Sequence, residues 1–293
     1  MSDVNNKTTF EKEMDNIKKE KQQANQEMTE KLKKNMADIK HKILVLSNKG
    51  GVGKSSVAVN LSCSLSEKGY KVGILDADLH GPSVAKMLGF EGEKLTGSNG
   101  LINPIVARPN LEAISMASLI GSPDTPLVWR GPLKGVAIKQ FLAEVNWGKL
   151  DFLIIDSPPG TGDEPLSICQ LIPEMDGAII VTTPQEVALT DSRKCITFLK
   201  DLNIPILGIV ENMSGFRCPH CGKKIDIFKT GGGKKAADEF KVPFLGSIPI
   251  DIEIASSGDQ GTPFMCNNKQ SEAGQAFKKI VQLILDGILK SDK

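Results

Sequence analysis

The sequence predicts an α/β protein with one mostly parallel sheet that is flanked by helices on both faces. Two observations support this prediction. From Lys42 onward, short β-rich runs alternate with stretches of helical periodicity, which is the order expected of parallel strands joined by crossover helices. Most of the short runs are also almost entirely apolar, as in strands that are covered on both faces.

The elements follow in order along the chain. Strands are predicted at residues 43–47, 72–75, 111–116, 152–155, 178–182, 206–211 and 244–248. Helices are predicted at residues 55–68, 133–145, 164–172, 187–202, 234–240 and 272–289. The last helix has few lysines on its polar face, so we expect its apolar stripe to pack on the core and not on a membrane surface. Residues 91–109 contain Gly and Asn and are expected to form a surface excursion.

The composition limits the classes of function. Lys and Arg number 36 and Asp and Glu 35, so the net charge of +1 gives no electrostatic case for nucleic acid or an anionic membrane as partner. Aromatic residues make up 5%, which disfavours a base-stacking surface, and no apolar run approaches the ~18 residues of a membrane span. Six cysteines are too few for a disulfide framework. We therefore expect a cytoplasmic protein with no nucleic-acid or membrane partner.

Residues 1–40 are predicted to form a polar helical extension. They contain nine lysines and eight acidic residues, a composition unlike that of a secretory signal or a transit peptide. Apolar side chains recur at three- and four-residue steps at Phe10, Met14, Ile17, Ala24 and Met28. Two interpretations remain open, a solvated helix with a weak apolar stripe and a docking arm for a partner or a second subunit.

A glycine-rich loop follows the first predicted strand and precedes a helix, which is the context of a P-loop. The residues expected to contact nucleotide are Asn48, Lys49, Gly50, Gly51, Val52, Gly53, Lys54, Ser55 and Ser56. The glycines let backbone N–H groups surround phosphate oxygens, and the helix adds its positive end. We expect Lys54 to contact the β- and γ-phosphates of ATP and Ser55 to ligate Mg²⁺, while Ser56 helps to start the helix. Asn48 replaces the glycine that usually opens this motif.

Lys49 is a second lysine inside the loop. It could contact phosphates on a facing subunit and act as an arginine finger does, an effect worth about 10³–10⁵ in rate. The alternative is an exposed lysine that only attracts anions.

Carboxylates follow two predicted strands, at the edge where parallel sheets bind ligands. Asp76 and Asp78 follow residues 72–75, and Asp156 follows residues 152–155. We expect Asp156 to be the second Mg²⁺ anchor, through water. Asp78 is expected to orient or deprotonate the attacking water, or alternatively to cap a helix.

Cys218 and Cys221 form a Cys-Pro-His-Cys knuckle. In a reducing compartment such a pair favours metal over a disulfide. Tetrahedral thiolate sites and iron–sulfur clusters usually take four ligands, and no other cysteine lies at ligand spacing. One chain therefore supplies half a site, which a two-fold homodimer would complete. A bridging [4Fe–4S] cluster, a bridging Zn²⁺ and a thiol–disulfide pair all remain open, and His220 is expected to be a solvent-facing spacer.

Together these motifs resemble the Mrp/ApbC-type iron–sulfur cluster carrier ATPases. The resemblance rests on the loop from Lys49 to Ser55, on Asp76-x-Asp78, on the Asp-Ser-Pro-Pro-Gly-Thr-Gly-Asp turn from Asp156, and on Glu211-Asn-Met-Ser followed by the cysteine pair. This family belongs to the deviant Walker A group of P-loop NTPases, with MinD, ParA and the nitrogenase iron protein. The resemblance covers about residues 40–290.

The resemblance implies a homodimer that binds Mg-ATP, hydrolyses it slowly and carries a bridging [4Fe–4S] cluster to apo iron–sulfur proteins, with an upstream cluster scaffold as a further partner. It implies that Lys49 crosses the dimer and that Asn212 reads adenine, with Pro249 and Asp251 near the base. Residues 41–293 then form a P-loop ATPase domain with a Cys-x-x-Cys metal-binding insertion at 215–230. The alternatives are a MinD/ParA-like positioning ATPase and a zinc-bridged dimer that uses nucleotide as a switch.

Overall fold

The computed structural model describes residues 2–78, 81–98, 100–115, 118, 131–185 and 187–291. The helices in these ranges are α1 Ser2–Ala37, α2 Lys54–Glu67, α3 Val84–Leu88, α4 Gly131–Glu144, α5 Asp163–Leu171, α6 Val187–Asp201, α7 Gly232–Phe240, α8 Ile252–Asp259, α9 Phe264–Asn267 and α10 Glu272–Ser291. The strands are β1 Ile39–Leu46, β2 Val72–Asp76, β3 Thr96–Ser98, β4 Leu101–Asn103, β5 Ile105–Arg108, β6 Leu111–Ser115, β7 Leu150–Asp156, β8 Gly177–Thr182, β9 Ile206–Glu211, β10 Phe216–Arg217, β11 Lys224–Ile225 and β12 Phe244–Ser247.

Eight strands form the central sheet in the order β12-β9-β8-β1-β7-β2-β6-β5. Every pairing from β12 to β6 is parallel, and β5 joins β6 in the antiparallel sense. The predicted fold class is therefore confirmed. All seven predicted strands lie in this sheet, and the predicted helices agree with α2, α4, α5, α6, α7 and α10 to within about two residues. Met116, the predicted end of the third strand, lies outside the described residues.

Helices cover both faces of the sheet because the side chains of each buried strand alternate between two cores. In β1, Ile43 and Val45 contribute to a core with α2 and α10. Leu44 and Leu46 contribute to the other core, which α1, α4 and α6 complete. The apolar stripe of α10 is buried in the first core, as expected from the sequence. No helix within the described ranges combines the length and apolar character that a membrane crossing requires.

The excursion at residues 91–109 contains more structure than the sequence indicates. Strands β3 and β4 form an antiparallel hairpin, and β5 extends the central sheet at its edge. These strands are three or four residues long, and Val106 in β5 is 71% exposed. Short edge strands lack the apolar run that identifies a buried strand, so the Gly and Asn residues of this segment led to the prediction of a loop.

The C-terminal turns of α1 pack against the rest of the chain. Leu32 and Met36 are buried in the second core. The side-chain amide of Asn35 donates to the carbonyl oxygens of Ala143 at 2.7 Å and Val145 at 3.1 Å, where α4 ends. By contrast, residues 18–27 are exposed. The end of the N-terminal segment is thus an integral part of the core, whereas its middle faces solvent.

Met36 gives a test of this packing. Met36→Ala should lower the free energy of unfolding by about 2–5 kcal/mol, because it removes a fully buried side chain and leaves a cavity. Met14→Ala, at an exposed position of the same helix, is the matched control and should change it by less than about 0.5 kcal/mol. Urea unfolding measures both, and equal effects would contradict the packing of α1.

Candidate functional site

The glycine-rich loop connects β1, in the middle of the sheet, to the N-terminus of α2. Gly51 and Gly53 have φ angles of 78° and 83°, a region that favours glycine because a side chain would be strained there. A Cβ on Gly53 would also collide with the side-chain amide of Asn212, whereas one on Gly50 or Gly51 would meet nothing within 4 Å. The loop is therefore fixed on one side and open on the other, as a phosphate cradle must be.

A cleft of about 580 Å³ lies against the open side of this loop. Its other walls come from the loops that follow β2 and β7, at the same edge of the sheet. The lining groups with chemical potential are Lys49, Lys54, Ser55, Asp78 and Glu164. The structure thus brings the predicted lysines, hydroxyl and water-orienting carboxylate to one cavity.

Lys54 and Asp156 form a buried ion pair beside this cleft. Lys54 Nζ donates to Asp156 Oδ1 at 2.5 Å and to Ser55 Oγ at 3.3 Å. Burial raises the pKa of Asp156, and the charge of Lys54 opposes that rise. The second oxygen, Asp156 Oδ2, is buried and has no hydrogen-bond partner among the described residues. An unpartnered carboxylate oxygen near a serine hydroxyl offers the oxygen ligands that Mg²⁺ prefers, so these residues fit that ion.

Asp76 holds the loop that carries Asp78. The Asp76 carboxylate accepts hydrogen bonds from Asp78 N at 3.1 Å, Val84 N at 3.3 Å and Ser115 Oγ at 3.2 Å. Burial, and then the charge of Asp156 on the neighbouring strand, raise the pKa of Asp76 to about 7. Asp78 accepts from Gly81 N at 3.1 Å. The helix-cap alternative for Asp78 is wrong, because the N-cap of α3 is Ser83.

The first two residues of the loop contact one carboxylate that the sequence analysis missed. Lys49 Nζ lies 2.7 Å from Asp191 Oδ2, and Asn48 Nδ2 donates to Asp191 Oδ1 at 2.7 Å. Asp191 belongs to α6, which follows β8, the strand beside β1. The Lys49 side chain is 51% exposed, so its ammonium group can exchange this partner for another.

The residues expected near adenine lie after two neighbouring strands. Asn212 follows β9, and its amide donates to Val52 O at 2.9 Å, which ties it directly to the glycine-rich loop. Pro249 and Asp251 follow β12, one strand farther from the loop. The carboxylate of Asp251 caps α8 by accepting from Glu253 N at 3.0 Å. The structure brings Asn212 to the loop, but none of these three residues belongs to the lining of the cleft, so their role at the base stays a prediction.

The cysteine pair lies on a small hairpin formed by β10 and β11. Cys218 N donates to Lys223 O at 3.0 Å, and Gly222 N donates to Cys218 O at 2.9 Å, which closes a tight knuckle. Cys221 and His220 are exposed. Hydrogen bonds from the backbone N–H groups of Cys221 and His220 lower the pKa of the Cys218 thiol, which favours the thiolate that binds metal.

The knuckle supplies two thiols as potential metal ligands, those of Cys218 and Cys221. Within the ranges that the structure describes, no three His, Cys, Asp or Glu side chains are grouped so that they could hold a metal ion. That a second copy of the chain completes a four-ligand site stays a prediction from the spacing of the cysteines.

Glu211 links the hairpin to the glycine-rich loop. Its buried carboxylate accepts hydrogen bonds from Ser214 Oγ at 2.5 Å, Gly231 N at 3.1 Å, Gly233 N at 2.6 Å and Ser247 Oγ at 3.2 Å. Ser214 and Gly231 flank the cysteine hairpin, and the residue after Glu211 contacts the loop. The sequence analysis used Glu211 only as part of a family motif. Its position as the charged residue at the end of an apolar run was the one sequence feature that could have indicated its role.

Known proteins resemble this chain over most of its length. Residues 38–285 match a family model described as ParA, NUBPL iron-transfer P-loop NTPase. A protein of Methanocaldococcus jannaschii named iron-sulfur cluster carrier protein is 52% identical over 258 residues, which is 88% of each chain. A protein of Saccharolobus solfataricus with the same name is 49% identical over 255 residues, or 87% of this chain and 86% of that protein.

Two solved structures show the same fold. A nucleotide-binding protein from Archaeoglobus fulgidus in complex with ADP is 38% identical with a TM-score of 0.71, covering 80% of this chain and 91% of that one. The septum site-determining protein MinD from Pyrococcus horikoshii, complexed with Mg-ADP, is 26% identical with a TM-score of 0.59, covering 83% and 95%.

The raised pKa of Asp76 predicts a pH dependence of stability. The native carboxyl keeps its proton up to about pH 7, whereas an unfolded aspartic acid loses it near pH 4, so the native state binds more protons in between. We expect the stability of the wild type relative to Asp76→Asn to fall as pH rises from about 4 to about 7, as measured by urea unfolding in EDTA without nucleotide.

Asp151→Asn is the control for this experiment. A hydrogen bond from Lys40 lowers the pKa of Asp151, so its carboxylate is ionised in both states above about pH 5 and its contribution should stay constant from there to about pH 7. A constant difference for Asp76→Asn as well would contradict the raised pKa.

Proposed function

The chain belongs to the ParA-type family of iron-transfer P-loop NTPases, and on that premise we propose that it is an ATP-dependent iron–sulfur cluster carrier. In this proposal a cytoplasmic homodimer binds and hydrolyses Mg-ATP and delivers a bridging [4Fe–4S] cluster to apo iron–sulfur proteins. The observation that carries the proposal is the connection of the glycine-rich loop to the cysteine hairpin, whose Cys221 is exposed, through two consecutive residues, Glu211 and Asn212.

Nucleotide binding is supported by the shape and charge of the cleft. The open face of the glycine-rich loop directs backbone N–H groups toward a polyphosphate, and the N-terminus of α2 adds partial positive charge. In this proposal Lys54 would exchange its contact with Asp156 for the β- and γ-phosphates, and Mg²⁺ would be held by the Ser55 hydroxyl and, through water, by Asp156. When bound, Mg²⁺ offsets the negative charge that develops on the phosphate oxygens.

Hydrolysis requires a positioned water and a further positive charge. The Asp78 carboxylate, anchored by Gly81 N, orients or deprotonates the attacking water. Lys49 leaves Asp191 and reaches the nucleotide of the facing subunit. Asn48 still donates to Asp191 Oδ1 after this exchange, so the Asp191 carboxylate keeps a partner.

The cluster is cargo that the cysteine pair holds and releases. Cys218 and Cys221 supply two thiolates, and the same pair of a second copy supplies the other two on the two-fold axis. Exposure of Cys221 lets an acceptor protein reach the cluster. The hydrogen bonds of Glu211 transmit a change in the loop at Asn212 to the base of the hairpin.

Anaerobic reconstitution with iron and sulfide tests the cargo. We expect about four irons per dimer with the absorbance of a [4Fe–4S] cluster, and we expect Cys218→Ala to lose both the iron and the absorbance. Cys195→Ala, which changes a fully buried thiol on α6, is the matched control and should retain them. One tightly held zinc per dimer without iron uptake would falsify the carrier function and support the zinc-bridged switch.

The two lysines of the loop should differ in their effects. Lys54→Ala should lower ATP affinity by at least about tenfold and abolish turnover, because it removes the direct phosphate contact. Lys49→Ala should spare ATP binding and slow hydrolysis by at least about tenfold or weaken the dimer. Calorimetric ATP binding, phosphate release and sedimentation measure these quantities, with Lys40→Ala at the surface as control.

Parental turnover in Lys54→Ala would contradict the role of the loop. Unaltered turnover and dimerisation in Lys49→Ala would contradict a contact across the dimer.

A further inference from the structure

A second pair of cysteines, distant in sequence from the cysteine hairpin, lies where α9 packs against α2. Cys63 on α2 and Cys266 on α9 are hydrogen-bonded to each other through their side chains. Cys63 is fully buried, and Cys266 is partly exposed. The buried member of the pair is thus adjacent to one that a small molecule can reach from solvent.

Contacts on either side of the pair fix its geometry. One turn before Cys63, Asn60 Oδ1 accepts a hydrogen bond from Met265 N at 2.9 Å. One turn after Cys63, Glu67 Oε1 lies 2.9 Å from Lys269 Nζ. The segment that carries Cys266 is therefore held against the face of α2 that bears Cys63.

The surroundings give the two thiols different roles. The hydrogen bond from Cys63 lowers the pKa of Cys266 to about 7, and the Arg108 guanidinium acts in the same direction. The same hydrogen bond, together with burial, raises the pKa of Cys63. Cys266 is thus the member present as a thiolate near neutral pH, and Cys63 keeps its proton.

Arg108 makes the pair a poor site for a metal cation and a good one for an anionic sulfur. Its Nη2 donates to Gly261 O at 3.1 Å, while its Nε is buried without a hydrogen-bond partner in the part of the chain that is described. A guanidinium with a spare donor stabilises a neighbouring thiolate and repels a metal ion.

We propose that Cys63 and Cys266 form a peroxide-oxidisable dithiol, in which Cys266 is the nucleophile and Cys63 the resolving thiol, and that oxidation joins α2 to α9 by a disulfide. This site goes beyond the carrier function and does not depend on it. The oxidant is hydrogen peroxide or another small hydroperoxide, which reaches the partly exposed sulfur of Cys266.

The chemistry balances with that oxidant alone. The Cys266 thiolate attacks one peroxide oxygen, so that an S–O bond forms, the O–O bond breaks, and hydroxide leaves and takes up a proton. The Cys63 sulfur then attacks the sulfenic acid, so that the S–S bond forms and the S–O bond breaks. The departing hydroxide takes the proton of the Cys63 thiol. Two sulfur atoms are oxidised, and one peroxide is reduced to two waters.

Oxidation with limiting hydrogen peroxide under anaerobic conditions, followed by alkylation and non-reducing peptide mapping, tests this proposal on the full chain. We expect a Cys63–Cys266 disulfide, and loss of the free Cys266 thiol at least about tenfold faster than loss of the Cys169 thiol. Burial raises the pKa of Cys169 to about 12, so it is an internal reference within the same molecule.

Variants separate the two roles. In Cys63→Ala the sulfenic acid on Cys266 should persist and form an adduct with dimedone, whereas in Cys266→Ser the Cys63 thiol should stay reduced over the same period. Cys169→Ala is the matched control and should leave the cross-link unchanged, as should the paired Cys218→Ala and Cys221→Ala changes. Equal rates for Cys266 and Cys169 in the wild type, or oxidation of Cys266 without a bond to Cys63, would overturn the proposal.

Discussion

The buried contact between Lys54 and Asp156 is the interaction on which the cleft depends. A carboxylate with no solvent exposure at the end of a central strand needs either a compensating cation or several hydrogen-bond donors. Asp156 has Lys54 as its cation, and removal of one partner from such a pair typically costs about 3–5 kcal/mol. Asp76 lies directly beside Asp156 in the register of β2 and β7, which adds a second acidic group to the same core. The two acidic side chains lie close together because neighbouring strands of a parallel sheet end at the same edge.

The second constraint is the carboxylate of Glu211, which accepts hydrogen bonds from four donors: Ser214 and Gly231 on either side of the cysteine hairpin, Gly233 in α7 and Ser247 in β12. Two backbone N–H groups near the N-terminus of α7, those of Gly231 and Gly233, find their acceptor there, so the hairpin is anchored at its base while its tip stays exposed. The next residue, Asn212, anchors the glycine-rich loop in turn, because its side-chain amide donates to Val52 O. The dimer-bridging cluster and the nucleotide therefore share one buried polar connection in the proposed carrier.

Local sequence patterns were sufficient for seven of the eight strands of the central sheet, for the helices of nine or more residues and for the identity of the loop, because apolar runs, glycines and a following helix are local signals. The shorter helices α3, α8 and α9 were not predicted. They could not reveal Asp191, whose importance comes from α6 lying beside β1, or the antiparallel edge strand β5, whose residues are half exposed. The same limit explains Cys63 and Cys266, which are more than 200 positions apart and meet only because α9 packs on α2. The roles of the site residues remain predictions, whereas the family and the fold are confirmed.

The contact between Lys49 and Asp191 has a consequence for assembly. In the proposed homodimer, the Lys49 ammonium group that would reach the nucleotide of the facing subunit is already paired with Asp191 in an isolated subunit, so self-association would compete with this internal contact. The polyphosphate of a bound nucleotide carries more negative charge than one aspartate and therefore shifts this competition toward the paired state. Because the internal contact is partly hydrated, added salt weakens it along with the contact across the interface. Nucleotide occupancy, more than ionic conditions, would then set how many subunits are joined.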